Sequence, residues 1–155
     1  MKALRDFAFQ LGAKFTVNAD LTVEKDGRYF LLNESLRRLI RKNFYYAGTY
    51  LGKVKNGRFF PSFNLLATLA RTDANKTIVN KKAAWLFICG RDVFRKGIIT
   101  VRGSCRKGDY TLVLNEFGEC LGFGKILFSL EAEAKKTEVA VKNISDIGDF
   151  LRRET

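Results

Sequence analysis

At 155 residues, with 46% hydrophobic and 28% charged side chains, the chain can bury about 70% of its unfolded-state surface, which argues against global disorder and means that stability need not depend on cross-links or a structural metal. Lys and Arg number 28 against 16 Asp and Glu, a formal charge of +12 with a pI near 9.8, and this excess points to a polyanionic partner. Zero histidines and three cysteines without C-x-x-C spacing leave no zinc or haem constellation and no cofactor, and no stretch approaches the roughly 20 apolar residues of a membrane span.

In chain order, Leu4, Phe7, Ala8 and Leu11 recur at helical spacing, so residues 2–11 are expected to form an amphipathic helix ended near Gly12. Arg5, Asp6 and Lys14 interrupt any signal-peptide core, and a cytoplasmic location with reduced thiols is expected. "LTVE" and "RYFLLN" flank Asp26-Gly27 as a hairpin. Asn33 then caps a helix over residues 34–43 whose buried stripe is Leu36, Leu39, Ile40 and Asn43, with Arg37, Arg38, Arg41 and Lys42 facing outward. A second hairpin turns at Asn56-Gly57, and Ser62 caps a short helix burying Leu65, Leu66 and Leu69. Tyr45, Tyr46, Phe59 and Phe60 are of a type to stack on bases, but adjacent aromatics on strands favour a core reading.

The polar interval "RTDANK" and the change of composition after it divide the chain into residues 1–80 and 81–155. The second part reads as a strand over residues 83–89, a short helix over "RDVFRKG", strands "IITVRG", "YTLVLN", 120–128 and "EVAVKN", and a capped terminal helix "SDIGDFLRRE". Short, closely spaced strands of this kind build a small barrel.

"LGFGKILF", residues 121–128, imitates the RNA-reading strand of an RRM, and "LFICGR" imitates its companion. Alternation places Leu121, Phe123, Lys125 and Leu127 on one face, so Lys125 stands where an RRM needs an aromatic. The intervening helices are also too short or too polar to cover an RRM sheet. Nor is Gly122-Phe123-Gly124 a phosphate loop, since more strand follows it. The two glycines are expected to let a barrel strand bend or approach its neighbour closely.

"RDVFRKGII", "RKGDYTLVLNEFGECLGFGK" and "EVAVKNISDIGDFLRRE" together resemble a PUA domain, the small RNA-binding pseudobarrel of pseudouridine synthases and archaeosine transglycosylases. With "FICGRDV" and the upstream "AGTYLGKVKNGRFF", nearly the whole chain resembles the Nip-seven family of large-ribosomal-subunit biogenesis factors in its short archaeal form. The resemblance implies an α+β protein: an N-terminal α/β domain with an antiparallel sheet and flanking helices, followed by a C-terminal PUA β-pseudobarrel. It also implies a monomeric, non-catalytic role in pre-rRNA processing, away from membranes, with RNA and ribosome-assembly proteins as partners, the latter through the N-terminal domain. Carried over by position, it nominates Arg95, Lys96, Arg102, Arg106, Lys107, Arg152 and Arg153 as RNA contacts.

Other readings stay open: a stand-alone PUA accessory of an RNA-modifying enzyme, or an RNA-acting enzyme. For the latter the sequence offers the carboxylate pairs Asp146/Asp149 and Glu131/Glu133, which read as a helix cap region and a solvated turn, and Cys105, whose basic turn would depress a thiol pKa but which lacks a partner base. Catalysis is therefore not expected.

Overall fold

The computed structural model describes residues 1–41, 43–131 and 135–153, without the side chains of residues 150, 151 and 153. Lys42, Glu133 and the side chain of Arg153, all considered above, lie outside that description. Helix α1 (Lys2–Gln10) is followed by strands β1 (Thr22–Lys25) and β2 (Arg28–Leu31), helix α2 (Glu34–Leu39), strands β3 (Thr49–Lys55) and β4 (Arg58–Pro61), and helix α3 (Phe63–Ala70). The four strands form one antiparallel sheet in sequential order, with both hairpins where the sequence places them. The Asn33 and Ser62 side chains accept from the Leu36 and Leu65 amides at 2.8 and 3.1 Å, satisfying otherwise orphaned helix N–H groups.

One sheet face carries Tyr29, Leu51 and Phe59 against Leu4, Phe7, Leu65, Leu66 and Leu69 of α1 and α3. Burying each such leucine contributes about 1.5–3 kcal/mol. The stripe expected on the second helix is only half realised. Leu36 and Ile40 pack beside Phe30, but α2 stops at Leu39, which is 76% exposed, and Asn43 is exposed as well. The core reading of the aromatics also needs correction: Phe59 is half-buried against the core, whereas Tyr45, Tyr46 and Phe60 are exposed by 84, 59 and 42%.

The remaining elements are β5 (Lys76–Val79), α4 (Lys81–Ile88), β6 (Val93–Phe94), β7 (Ile98–Arg102), β8 (Tyr110–Leu114), β9 (Cys120–Ile126), β10 (Val139–Asp146) and α5 (Ile147–Arg153). The second sheet runs β6-β10-β9-β8-β5-β7, antiparallel except for the parallel β5–β8 pair. Its two edge strands, β6 and β7, are joined directly by a single 3-10 turn, Arg95–Gly97, so the sheet must curl until its edges meet. A pseudobarrel results, packed inside by Val79, Phe87, Val93, Val113, Ala140 and Val141.

Residues 83–89 are not a strand: they belong to α4 and its C-terminal cap. Asn80 caps the start of this helix by accepting from the Ala83 amide at 2.9 Å. Ala83 and Phe87, one helical turn apart, face the barrel while Trp85 is 65% exposed. The apolar run masks a four-residue period that the cap reveals. Likewise "RDVFRKG" is not an α-helix but strand β6 followed by the 3-10 turn.

The two sheets share a core. Leu112, Leu114 and Phe123 of the second pack with α1, and the Phe7 and Phe123 rings meet edge to face at 5.2 Å. Asn75 ties the junction: its amide donates to the Leu11 carbonyl at 2.7 Å, its side chain donates to the Tyr110 carbonyl at 3.0 Å, and its side-chain oxygen accepts from the Ser104 amide at 2.9 Å.

Candidate nucleic-acid interface

The Gly-Phe-Gly strand is now explicable. Gly122 has φ +148°, and a Cβ there would lie 2.0 Å from the Ser145 carbonyl oxygen. At Gly124 a Cβ would lie 2.4 Å from a methyl of Val141. The glycines therefore let β10 press onto β9 where its register shifts between Asn143 and Ser145. Phe123 turns inward, Leu121 packs beside the barrel core, and Lys125 is exposed. No aromatic platform exists on this strand.

The nominated cations whose side chains are described occupy three places. Arg95, Lys96, Arg106 and Lys107 border the segment after β9. The Arg95 guanidinium donates to the Ser129 and Leu130 carbonyls at 2.7 and 2.9 Å, and the Lys96 amide donates to the Lys136 carbonyl at 3.1 Å. The Leu130 amide in turn donates to the Cys105 carbonyl at 2.9 Å, drawing the turn of residues 103–109 toward the same segment. Arg95 thus organises the loop, while Lys96, Arg106 and Lys107 present exposed charge along it. Arg106 shares that charge with Asp109 at 3.4 Å, and Asp109 accepts from the Ser104 hydroxyl. Arg102 ends β7, exposed, opposite Lys76 of β5.

Arg152 belongs to a different place. Its guanidinium donates to Asp146 at 2.8 Å and to the Ile88 carbonyl at 2.6 Å, so it braces α5 against the C-terminal end of α4. The hydrogen bond to Asp146 raises its pKa further above the ordinary arginine value. Asp146, only 2% exposed, also accepts from the Asn143 side chain at 3.0 Å, which donates as well to the Phe87 carbonyl at 2.9 Å. Gly148 permits the close fit, since a Cβ there would sit 1.9 Å from the Ile88 carbonyl oxygen. The motif "SDIG" is thus a fastening between two helices and a strand. Asp146 and Asp149 stand on either side of Arg152, at 2.8 and 4.0 Å, as partners in that fastening.

Three cations, Lys14, Lys125 and Lys142, lie beyond the seven that the resemblance nominates. Lys142 lies directly across from Lys125 in the β9–β10 pairing, and Lys125 across from Tyr110 in the β8–β9 pairing. Strict alternation does not single out Lys142, because its two predecessors, Ala140 and Val141, are both buried; its charge is the signal, and it is exposed. Lys14 joins Arg106 and Lys125 along a groove of about 630 Å³ between the end of α1 and the second sheet, lined also by Asn75, Ser104 and Tyr110. Like charges placed directly opposite on strands destabilise a sheet, so this surface gains from an anion laid across it.

Neither Cys105 nor Cys120 has an activated thiol. Cys105 does not have the depressed pKa expected from its basic turn; burial, and then the Glu131 carboxylate, push it up. Burial pushes Cys120 up to about 11. Among the described residues no group of three or more His, Cys, Asp or Glu is placed to hold a metal, and no helix is long and apolar enough to cross a membrane.

Comparison with known proteins agrees with this architecture. Residues 75–155 match the model of the UPF0113 PUA domain. A UPF0113 protein of Archaeoglobus fulgidus is 33% identical over 116 residues, covering 72% of this chain but only 64% of the relative, so the match leaves over a third of that protein unaccounted for. Among solved structures, a conserved PUA domain protein from Thermoplasma acidophilum superimposes with a TM-score of 0.64 at 22% identity, over 99% of this chain and 93% of the other. A PUA domain from Aeropyrum pernix gives 0.53 at 25% identity, over 62 and 56%.

Proposed function

The chain belongs to the UPF0113 PUA domain family, and from that premise we propose that it is an RNA-binding factor of large-ribosomal-subunit assembly, acting in pre-rRNA processing without catalysing a reaction. The observation that carries the RNA-binding reading is the PUA-type barrel with Lys96, Arg102, Arg106 and Lys107 exposed around it, on a chain of charge +12. Phosphate contacts of this kind fix position and supply most of the affinity, while leaving sequence choice to other groups.

The assembly role rests on the resemblance of "FICGRDV", "LGFGK" and "SDIGDFLRRE", in that order, to the Nip-seven family. In this reading residues 81–155 form the RNA-binding part and residues 1–80 offer the surface for assembly proteins, although β5, from Lys76, already pairs within the second sheet.

Crosslinking the bound RNA in cells and sequencing it tests the proposal. Recovery of ribosomal RNA, with the protein migrating on pre-ribosomal particles, is the expected result. Recovery of tRNA together with a co-purifying modification enzyme would instead establish the accessory role, and turnover of RNA by the purified chain would refute a non-catalytic one.

A further inference from the structure

The outer face of the first sheet carries a second charged surface, remote in sequence from the PUA part. Lys25 of β1 pairs with Arg28 of β2, Arg28 with Lys53 of β3, and Lys53 with Phe60 of β4, so one row crosses all four strands. A further like-charge pair, Lys55 and Arg58, lies at the end of the β3–β4 hairpin. Strand positions on this face are Val23, Lys25, Arg28, Phe30, Tyr50, Lys53, Lys55, Arg58 and Phe60, with no carboxylate among them. Among the described residues, Arg28, Lys53, Lys55 and Arg58 have no ion-pair partner.

Aromatic rings lie beside that row. Phe44, Phe30, Tyr50 and Tyr46 form a contiguous cluster, with Tyr46 5.2 Å from Phe30 and still 59% exposed. Tyr45 is 84% exposed, and the Arg28 guanidinium lies 5.9 Å from its ring. Lys25 donates to the Phe44 carbonyl and sits 5.0 Å from that ring, which holds the tyrosine-bearing segment against the sheet. At the other side of the row Phe60 offers a third ring.

Three like-charge cross-strand pairs destabilise a sheet unless something offsets them. Exposed rings add apolar surface that a purely solvated face would not carry. A polyanion bearing planar groups satisfies both features. A duplex buries its base faces in the stack, whereas a single strand supplies phosphates to the cations and unstacked base faces to the rings.

We propose that this face binds a single-stranded RNA segment, with phosphates along Arg28, Lys53, Lys55 and Arg58 and bases stacked on Tyr45, Tyr46 and Phe60. The proposal is independent of the PUA-side contacts, because it rests on other residues.

The test uses the full chain, a short mixed-sequence single-stranded RNA carrying 4-thiouridine, and the duplex of the same sequence. Photoadducts mapped by mass spectrometry should fall on Tyr45, Tyr46 or Phe60. Tyr45→Ala, at an exposed position, should lower single-strand affinity about fivefold or more without changing the melting temperature. Lys53→Glu should lower it and flatten the salt dependence. A Lys96→Glu/Arg106→Glu variant should keep the Tyr45 adduct, even where total affinity falls.

Adducts confined to residues 75–153 would overturn the platform and leave PUA-side binding standing. Charge dependence without any effect of Tyr45→Ala, or equal binding of the duplex, would reduce the face to general attraction and overturn stacking. Binding of an acidic protein, but not RNA, through these same residues would overturn the choice of partner.

Discussion

Arg152 lies 2.8 Å from the buried carboxylate of Asp146, although its place beside a second arginine at the chain's end recommends it as an RNA contact. Its guanidinium is engaged by Asp146 and the Ile88 carbonyl, which gives the cation a structural part in closing a helix end. Asp146→Ala should therefore cost about 1–3 kcal/mol of stability, through the loss of charge-assisted bonds at a buried position, with RNA affinity unchanged well below the melting temperature. Arg152→Ala should lower the melting temperature in the same direction. An Arg152→Ala protein that melts like the parent yet no longer binds RNA would return this residue to the interface.

Gly122→Ala is predicted to cost about 3 kcal/mol or more, because the backbone conformation and the Ser145 carbonyl both oppose a side chain there. Urea denaturation checks this. Normal stability combined with abolished RNA binding would contradict a structural role for the strand.

Stability should fall at alkaline pH. In the unfolded chain the Cys120 thiol ionises near its ordinary value of 9.0, whereas in the folded barrel it holds its proton up to about 11. Across that window the folded state binds the extra proton, so stability falls as pH rises. Burial raises the Tyr29 and Tyr50 hydroxyls above 10.0 and extends the loss in the same direction. Denaturation midpoints measured on either side of the window should differ less in Cys120→Val than in the parent; equal slopes would show that another group titrates. Disulfide-exchange reagents should meanwhile label exposed Cys89 well before Cys120.

Replacing Lys96, Arg102 and Lys107 together with glutamate should weaken RNA binding about tenfold or more, and reduce the slope of log affinity against log salt by about one for each phosphate left without its cation. A slope equal to the parent's would remove these side chains from the interface.

Local signals with a single physical meaning are legible in the sequence. Asn33, Ser62, Asp26-Gly27 and Asn56-Gly57 each prescribe one backbone geometry, and the structure shows all four in use. Helix α4 defeats a reading by pattern because its apolar run fits a buried strand as well as a helix, and only the Asn80 cap separates the two. Within the candidate interface charge is a better guide than alternation to which cations reach solvent: Lys125 is exposed although Phe123, assigned to the same strand face, is buried. Neither predicts which guanidinium finds a carbonyl far along the chain: Arg95 reaches Ser129 and Leu130, and Arg152 reaches Ile88. Exposure of Tyr45 and Tyr46 is hidden for a related reason, because α2 ends after Leu39 and leaves that flank of the sheet uncovered.

The shared core between the sheets bears on how such a protein can be rearranged by evolution or by hand. A domain that can be moved whole into another protein must be self-sealing. Here a chain begun at residue 75 would lack the Leu11 carbonyl that receives the Asn75 amide, and would leave Leu112, Leu114 and Phe123 without their partners on α1 and α3. The barrel is therefore no detachable cassette: grafting it onto another protein requires bringing α1 and α3 along, or redesigning the three side chains they cover.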